Sequence, residues 1–195
     1  MKPGTIVYTG KTKKGTNILI RYPLKTDVEE MTLYINTLSN ERTFILFQGE
    51  QQTLKKEEKY LRSIFTKLRK KIMVKLLVFH DNTLIGSSEI EMKEKAEKHV
   101  GNFGLSVAKE FRGEGIGTLL MKLVLEKAEK HLPDLRVCVL GVFSDNNFAV
   151  SMYQKVGFIP YGRLPNGLKH KDHYVDHIFM YKEMNPIHEK ETTPQ

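Results

Sequence analysis

The sequence predicts a mixed α/β domain, and three observations carry the prediction. Segments that alternate apolar and polar residues, as strands do, are interleaved along the chain with segments of helical period. With 195 residues the chain suffices for one substantial core and is short for two, and neither a repeat nor a low-complexity linker divides it. Hydrophobic residues make up 40% and charged residues 28%, a balance that folds rather than staying disordered. Residues 1–184 are therefore expected to form one domain, and 185–195, "NPIHEKETTPQ", a flexible tail.

Two short strands, "TIVY" at 5–8 and "NILIRY" at 17–22, are joined by the polar turn "TGKTKKGT". Thr26 or Asp27 can cap a helix to about Ser39, with Val28, Met31, Leu33, Tyr34, Ile35 and Leu38 on its apolar side. "TFILFQGE" at 43–50 fits either a helical turn or an extended piece. Thr53 then caps a second helix over 54–70, with Leu54, Tyr60, Leu61, Ile64, Phe65 and Leu68 available to the core. Strands at 72–80 and 83–92 flank Asp81-Asn82, which reads as a hairpin turn. The charged 93–99 is an exposed connection, and "VGNFGLSV" at 100–107 is the next strand. A helix starts near Gly115 and runs to about His131, ahead of Pro133. "LRVCVLGVF" at 135–143 is a strand, and 146–156 is a helix closed by Gly157. Strands at 158–164 and 174–184 follow, with "PNGLKHKDH" as a loop or hairpin tip.

The net charge of +8 favours anionic partners through the summed field. Its lysines are scattered through stretches such as "KTKKG", "LKKEEKY" and "KEKAEKH", as on a solvated surface, and no named nucleic-acid motif accompanies them. The start of the chain has no apolar core of signal-peptide length, and no stretch reaches the ~18 apolar residues of a membrane span. The single cysteine, Cys138, excludes an intramolecular disulfide and fits a reducing compartment. A soluble cytoplasmic protein without a membrane partner is expected.

The most informative stretch is "FRGEGIGTLLM", 111–121, where glycines at 113, 115 and 117 precede an apolar helix. Amides at a helix start lack intrahelical partners, and the helix dipole favours an anion there. Glycines permit close approach and unusual backbone angles, and Arg112 adds a cationic fork. Packing alone also produces glycine-rich turns, so spacing leaves an anion seat and a tight turn both open. The spacing is Gly-x-Gly-x-Gly, not the dinucleotide Gly-x-Gly-x-x-Gly, and Gly117 is followed by Thr118-Leu119 where a Walker loop needs Lys-Ser/Thr.

Here the sequence resembles the Gcn5-related N-acetyltransferase (GNAT) superfamily. "SVAKEFRGEGIGTLLM" at 106–121 matches its Arg/Gln-x-x-Gly-x-Gly/Ala acyl-CoA segment through Arg112, Gly115 and Gly117. "DNNFAVSMYQKVGF" at 145–158 resembles the family's Asn-x-x-Ala-x-x-x-Tyr-x-x-x-Gly-Phe through Asn146, Ala149, Tyr153, Gly157 and Phe158. The resemblance spans about 17–184 and is densest over 72–160. It implies an α/β acyl-CoA N-acyltransferase fold, with a mixed, mostly antiparallel sheet, splayed central strands and flanking helices.

The resemblance also implies chemistry: acetyl transfer from acetyl-CoA to a primary amine by direct attack on the thioester. Leu105 and Val107 would offer backbone groups to the pantetheine arm. The amides of Arg112, Gly113, Glu114, Gly115, Ile116, Gly117 and Thr118 would hold the pyrophosphate, with Lys109 and Lys122 as electrostatic help. Backbone donors would stabilise the oxyanion, and Tyr153 would protonate the leaving thiolate. Asn146 would bind pantetheine or cap its helix; neighbouring Asn147 has no assigned role. For the base, Glu89 ranks ahead of Glu91, which shares its strand face, and an ordered water is an alternative. Glu50, Tyr174 and Asp176 are expected at the acceptor pocket. The acceptor is open among a small amine, an amino acid, a polyamine and a protein N-terminus. Dimers are common among enzymes of this type, so a homodimer is possible.

No metal is expected. His170, His173 and His177 in "HKDHYVDH" invite a metal, but on one strand His173 and His177 would stand about 13 Å apart, beyond chelation through bonds of about 2 Å. Two alternatives to the enzyme stay open: an acyl-CoA-binding module without chemistry, and a basic RNA-binding protein.

Overall fold

A computed structural model describes residues 1–184; the expected tail at 185–195 lies outside the described residues. Eight strands form one sheet: β1 (Ile6–Lys11), β2 (Asn17–Arg21), β3 (Met73–His80), β4 (Thr83–Met92), β5 (Val100–Val107), β6 (Val137–Phe143), β7 (Ile159–His170) and β8 (His173–Glu183). The spatial order is β1-β2-β3-β4-β5-β6-β8-β7. Every neighbouring pair is antiparallel except β5 and β6. Four α-helices complete the fold: α1 (Val28–Asn40), α2 (Leu54–Arg69), α3 (Ile116–His131) and α4 (Asn147–Lys155). None is long and apolar enough to cross a membrane.

Side-chain alternation assigns the two faces of the sheet. Ser106 of β5 meets Tyr34 of α1, and Glu89 of β4 meets Tyr60 of α2. Leu105 and Val107, one residue either side of Ser106, point the other way, toward Gly117 at the start of α3. The core therefore fills both sides: Met31, Tyr34 and Leu38 of α1 with Leu61, Ile64 and Leu68 of α2 on one, and Ile116, Leu120, Val124 and Ala128 of α3 on the other. β3 lies between these layers, and all its residues from Met73 to Phe79 are buried.

Local signals behave as their chemistry dictates, with four exceptions. Thr53 accepts from the Lys56 amide, and Asp81 and Asn82 both adopt the positive φ of a two-residue hairpin turn. Asp27 stands before α1, but its carboxylate takes both guanidinium nitrogens of Arg21 at 2.7 Å and the Leu24 amide instead of capping α1. Leu33 and Leu54 are exposed, because their positions fall outside the narrow stripes at 31-34-38 and 61-64-68. Residues 43–50 form bends and turns, tied to α1 by the buried Ser39, which donates to the Glu50 carbonyl and accepts from the Gly49 amide. The stretch after 164, expected as a loop or hairpin tip, is a hairpin with a shorter tip than expected: β7 runs on to His170, and only Lys171 and Asp172 turn. Its polar residues are tolerated because β7 is an edge strand with solvent beside it.

Candidate active site

The three glycines of 111–121 do different things. Gly113 and Gly115 have φ of 76° and 87°, in the left-handed region that side chains disfavour, and Gly115 is the residue from which α3 departs. Gly117 is inside the first turn of α3, where a Cβ would make only ordinary contacts with Met152, Leu105 and Val107, at 3.6 to 3.9 Å. Among the described residues, none accepts a hydrogen bond from the amides of 113–118; the ladder begins with Leu119 donating to the Gly115 carbonyl. Consecutive free amides at a helix start form a concentrated set of donors for an anion.

Two side chains of the same loop hold it in place. Glu114 turns away from the helix axis, into the β1–β2 turn, where one carboxylate oxygen accepts from Thr12 at 2.6 Å and Thr16 at 2.7 Å. Those two hydroxyls hold its carboxyl below the usual carboxylate range. Its carbonyl accepts from the Lys13 amide, and the Lys13 stem lies beside Gly115. Arg112 reaches back to the Val107 carbonyl (2.9 Å) and across to Glu41 at the end of α1 (2.7 Å). The Val107 carbonyl is thus engaged by Arg112, and the Arg112 guanidinium serves as a strut between β5 and α1. The lysines considered as electrostatic help, Lys109 and Lys122, are exposed.

Beside this loop the sheet opens. The parallel β5–β6 ladder joins Val100, Gly101 and Asn102 to Val137, Cys138 and Val139, and among the described residues goes no further. From Phe103 to Val107, β5 is paired only with β4, while β6 beyond Val139 follows β8. α4 borders this divergence. Asn146 caps it, its side-chain oxygen accepting from the Ala149 amide. Tyr153 is packed edge-on against Phe103 and Phe158, each ring centroid 5.9 Å away. Burial pushes its phenol up to about 12, and among the described residues its hydroxyl has no hydrogen-bond partner. It is a phenol that stays protonated, with its proton uncommitted.

On the α2 side of β4, the half-buried Glu89 is bonded into a group around the buried Lys75. One of its oxygens accepts from Tyr60 at 2.9 Å and from Lys75, its direct cross-strand partner on β3. Burial would raise the Glu89 carboxyl, but the Lys75 charge and these donors together hold it below the ordinary value of 4.5. Burial would likewise lower the Lys75 ammonium, yet Glu89 and Tyr60 raise it above the ordinary lysine value. Glu91 faces the same way and bonds to Lys67 of α2 at 2.6 Å. Sequence reasoning named Glu89 and missed Lys75, although a lysine inside the apolar run "IMVKLLVFH" was a visible signal.

Of the three residues expected at an acceptor pocket, Tyr174 and Asp176 share β8 and Glu50 is on the α1–α2 connection. There the Gln48 amide donates to the Glu50 carboxylate at 2.5 Å. Tyr174 is exposed near the start of β8. Asp176 accepts from Arg163 and from the Asn166 amide, spanning the β7 irregularity between Leu164 and Leu168. The Asn166 amide and the Arg163 side chain hold its carboxyl below the usual range.

The sequence profile of the Acetyltransferase (GNAT) family matches residues 35–158, and the chain belongs to that family. It is 29% identical over 101 residues to the L-amino acid N-acetyltransferase AaaT of Escherichia coli (strain K12), a match covering 51% of this chain and 62% of that protein. The acetyltransferase of GNAT family from Streptococcus pneumoniae superimposes with a TM-score of 0.78 at 26% identity, over 86% of this chain and 99% of that one. The structure of yncA from Salmonella typhimurium with its cofactor acetyl-CoA shares the fold, with a TM-score of 0.75 at 16% identity over 88% and 96%.

Proposed function

We propose that residues 1–184 form a single acetyl-CoA-dependent N-acetyltransferase domain that acetylates a primary amine. The observation that carries this reading is the row of free amides at 113–118, opening beside the β5–β6 divergence. A diphosphate fits that row, and an extended pantetheine arm fits the unpaired edge of β5 from Phe103 to Val107. Bound acetyl-CoA supplies the thioester carbonyl that the amine attacks. In this reading the free amides, with Arg112 bracing their loop, fix the cofactor, and Leu105 lends the arm its backbone. Asn146 caps α4 through its side-chain oxygen and keeps its amide nitrogen available as a donor to the arm. Tyr153 gives its proton to the departing sulfur, which its high pKa permits because the proton is retained until demand arises.

The Glu89 carboxylate receives the amine proton through a water. Its depressed pKa keeps it anionic but makes it a weak base for direct abstraction, so a relay suits it better. Glu50, Tyr174 and Asp176 enter as the acceptor rim, acting chiefly through the loops they hold. The name of the E. coli relative supports trying the α-amino group of L-amino acids first as the acceptor. The free, buried Cys138 supports placing the protein in a reducing compartment such as the cytoplasm.

The test is acetyl-CoA turnover against a panel of L-amino acids, polyamines and peptide N-termini. The expected result is turnover with at least one amine and a large loss in Tyr153→Phe. Tight CoA binding without turnover on any amine would favour the non-catalytic module. Salt-sensitive RNA retention as strong as CoA binding would favour the nucleic-acid reading.

A further inference from the structure

We propose that Asp145, His170 and His173 form a binding site for a divalent transition metal, with Zn2+ as the reference ion. One ligand atom from each of the three lies within 4.8 Å of the others. They come from two places: Asp145 follows β6, while His170 and His173 flank the tight β7–β8 turn. The two histidines are direct cross-strand partners, so their side chains stand side by side on one face. Their ring centroids are 5.6 Å apart. The separation along one strand that keeps His173 from His177 does not apply, because this pair meets across the turn.

The state of each group fits a ligand. His170 is 93% buried, and its Nε2 bonds to the carbonyl of Arg42 at 3.2 Å. That carbonyl can only accept, so Nε2 carries the hydrogen and the lone pair is on Nδ1. Nδ1 is buried and has no hydrogen-bond partner. A ring nitrogen donating to a backbone carbonyl, with the other left bare, is the arrangement of a metal-binding histidine. Phe44 and Phe143 pack against the His170 ring and fix its plane. His173 Nε2 already lies 3.3 Å from an Asp145 oxygen, close to the ~3.3 Å edge of a tetrahedron with ~2 Å bonds.

Two imidazoles and one carboxylate select a borderline metal over Mg2+ or Ca2+, which prefer all-oxygen shells. Three protein ligands leave a fourth position for water or a ligand. The ion would pin the β7–β8 turn to the residue preceding Asn146 and, through His170, to the loop after α1.

The test is calorimetric titration of the full, chelator-treated chain with Zn2+, backed by Co2+ absorption as a reading of tetrahedral coordination. One equivalent is expected, with a rise in melting temperature. Asp145→Asn and His173→Gln, both at exposed positions, should each weaken Zn2+ at least about 10-fold, the loss that even an outer-shell partner carries. His131→Gln, on α3, should leave Zn2+ affinity unchanged. Absence of stoichiometric binding overturns the site, as does unchanged affinity in either Asp145→Asn or His173→Gln. Neither readout depends on acetyl transfer, so the metal proposal and the enzymatic one can fail separately.

Discussion

Lys75 and Glu89 are directly opposed on β3 and β4, and their charged groups are bonded to each other beneath α2. A lysine that is almost fully buried needs such a partner, since an unpaired charge there is costly. Lys75→Met should destabilise the protein by roughly 3 kcal/mol, the lower end for a buried pair losing one member. The double variant Lys75→Met/Glu89→Leu should recover much of that loss in chemical denaturation, while turnover stays low if Glu89 receives the amine proton.

The same pair sets a pH window. The folded Glu89 carboxyl holds its proton more weakly than the unfolded one, so its contribution is complete above 4.5 and fades as pH falls below it. The folded Lys75 ammonium holds its proton more tightly, so its contribution is complete below 10.5 and fades at higher pH. Stability measured against pH should therefore fall at both ends in the wild type. In the double variant both slopes should be shallower.

Tyr153→Phe keeps both edge-on ring contacts and removes only the hydroxyl. Turnover should fall about 10²- to 10⁴-fold, with CoA affinity and melting temperature near wild type. Because the phenol is pushed up to about 12, wild-type kcat should show no loss from its ionisation between pH 8 and 10. A descending limb near 10 that disappears in Tyr153→Phe would contradict that placement.

The glycines separate backbone need from ligand need. Gly115→Ala should cost about 1–2 kcal/mol of stability, because alanine disfavours its left-handed φ. Gly117→Ala meets no tight contact in the protein and has helical geometry, so stability should hold or rise. If the cofactor diphosphate is seated there, Gly117→Ala should nonetheless weaken CoA binding. Thermal melts with and without CoA read both effects.

Glu114 gives a further check on the same loop. Thr12→Val with Thr16→Val leaves its carboxylate without either donor. CoA affinity should drop several-fold by calorimetry, with far-ultraviolet circular dichroism unchanged. Affinity equal to wild type would show that the β1–β2 turn does not hold the loop.

Much of this organisation was legible because it is local. Thr53, Asp81-Asn82, Gly115 and Asn146 each act within a few residues of their own position, and each sits where its chemistry dictates. Helical stripes were readable in the same way, apart from Leu33 and Leu54 at their margins. What sequence did not show is which distant groups meet. The partners of Glu89, Arg112 and Glu114 are 14, 71 and about 100 positions away, fixed by sheet order rather than by spacing. How far β7 extends past Leu164 into the hairpin was not legible, because its polar residues resemble a tip or loop, whereas an exposed edge strand tolerates them.

The divergence of β5 from β6 has a thermodynamic consequence for the living cell. On the proposed reading, the cofactor arm completes a sheet that the polypeptide leaves unfinished, so the folded state is itself a function of metabolite supply. At a CoA concentration 100 times its dissociation constant the native state gains about 2.7 kcal/mol. For a chain of ordinary marginal stability, that gain is a substantial share of what keeps it folded. When acyl-CoA runs low the protein would lose part of its resistance to unfolding as well as its substrate, tying its abundance to the acetyl supply.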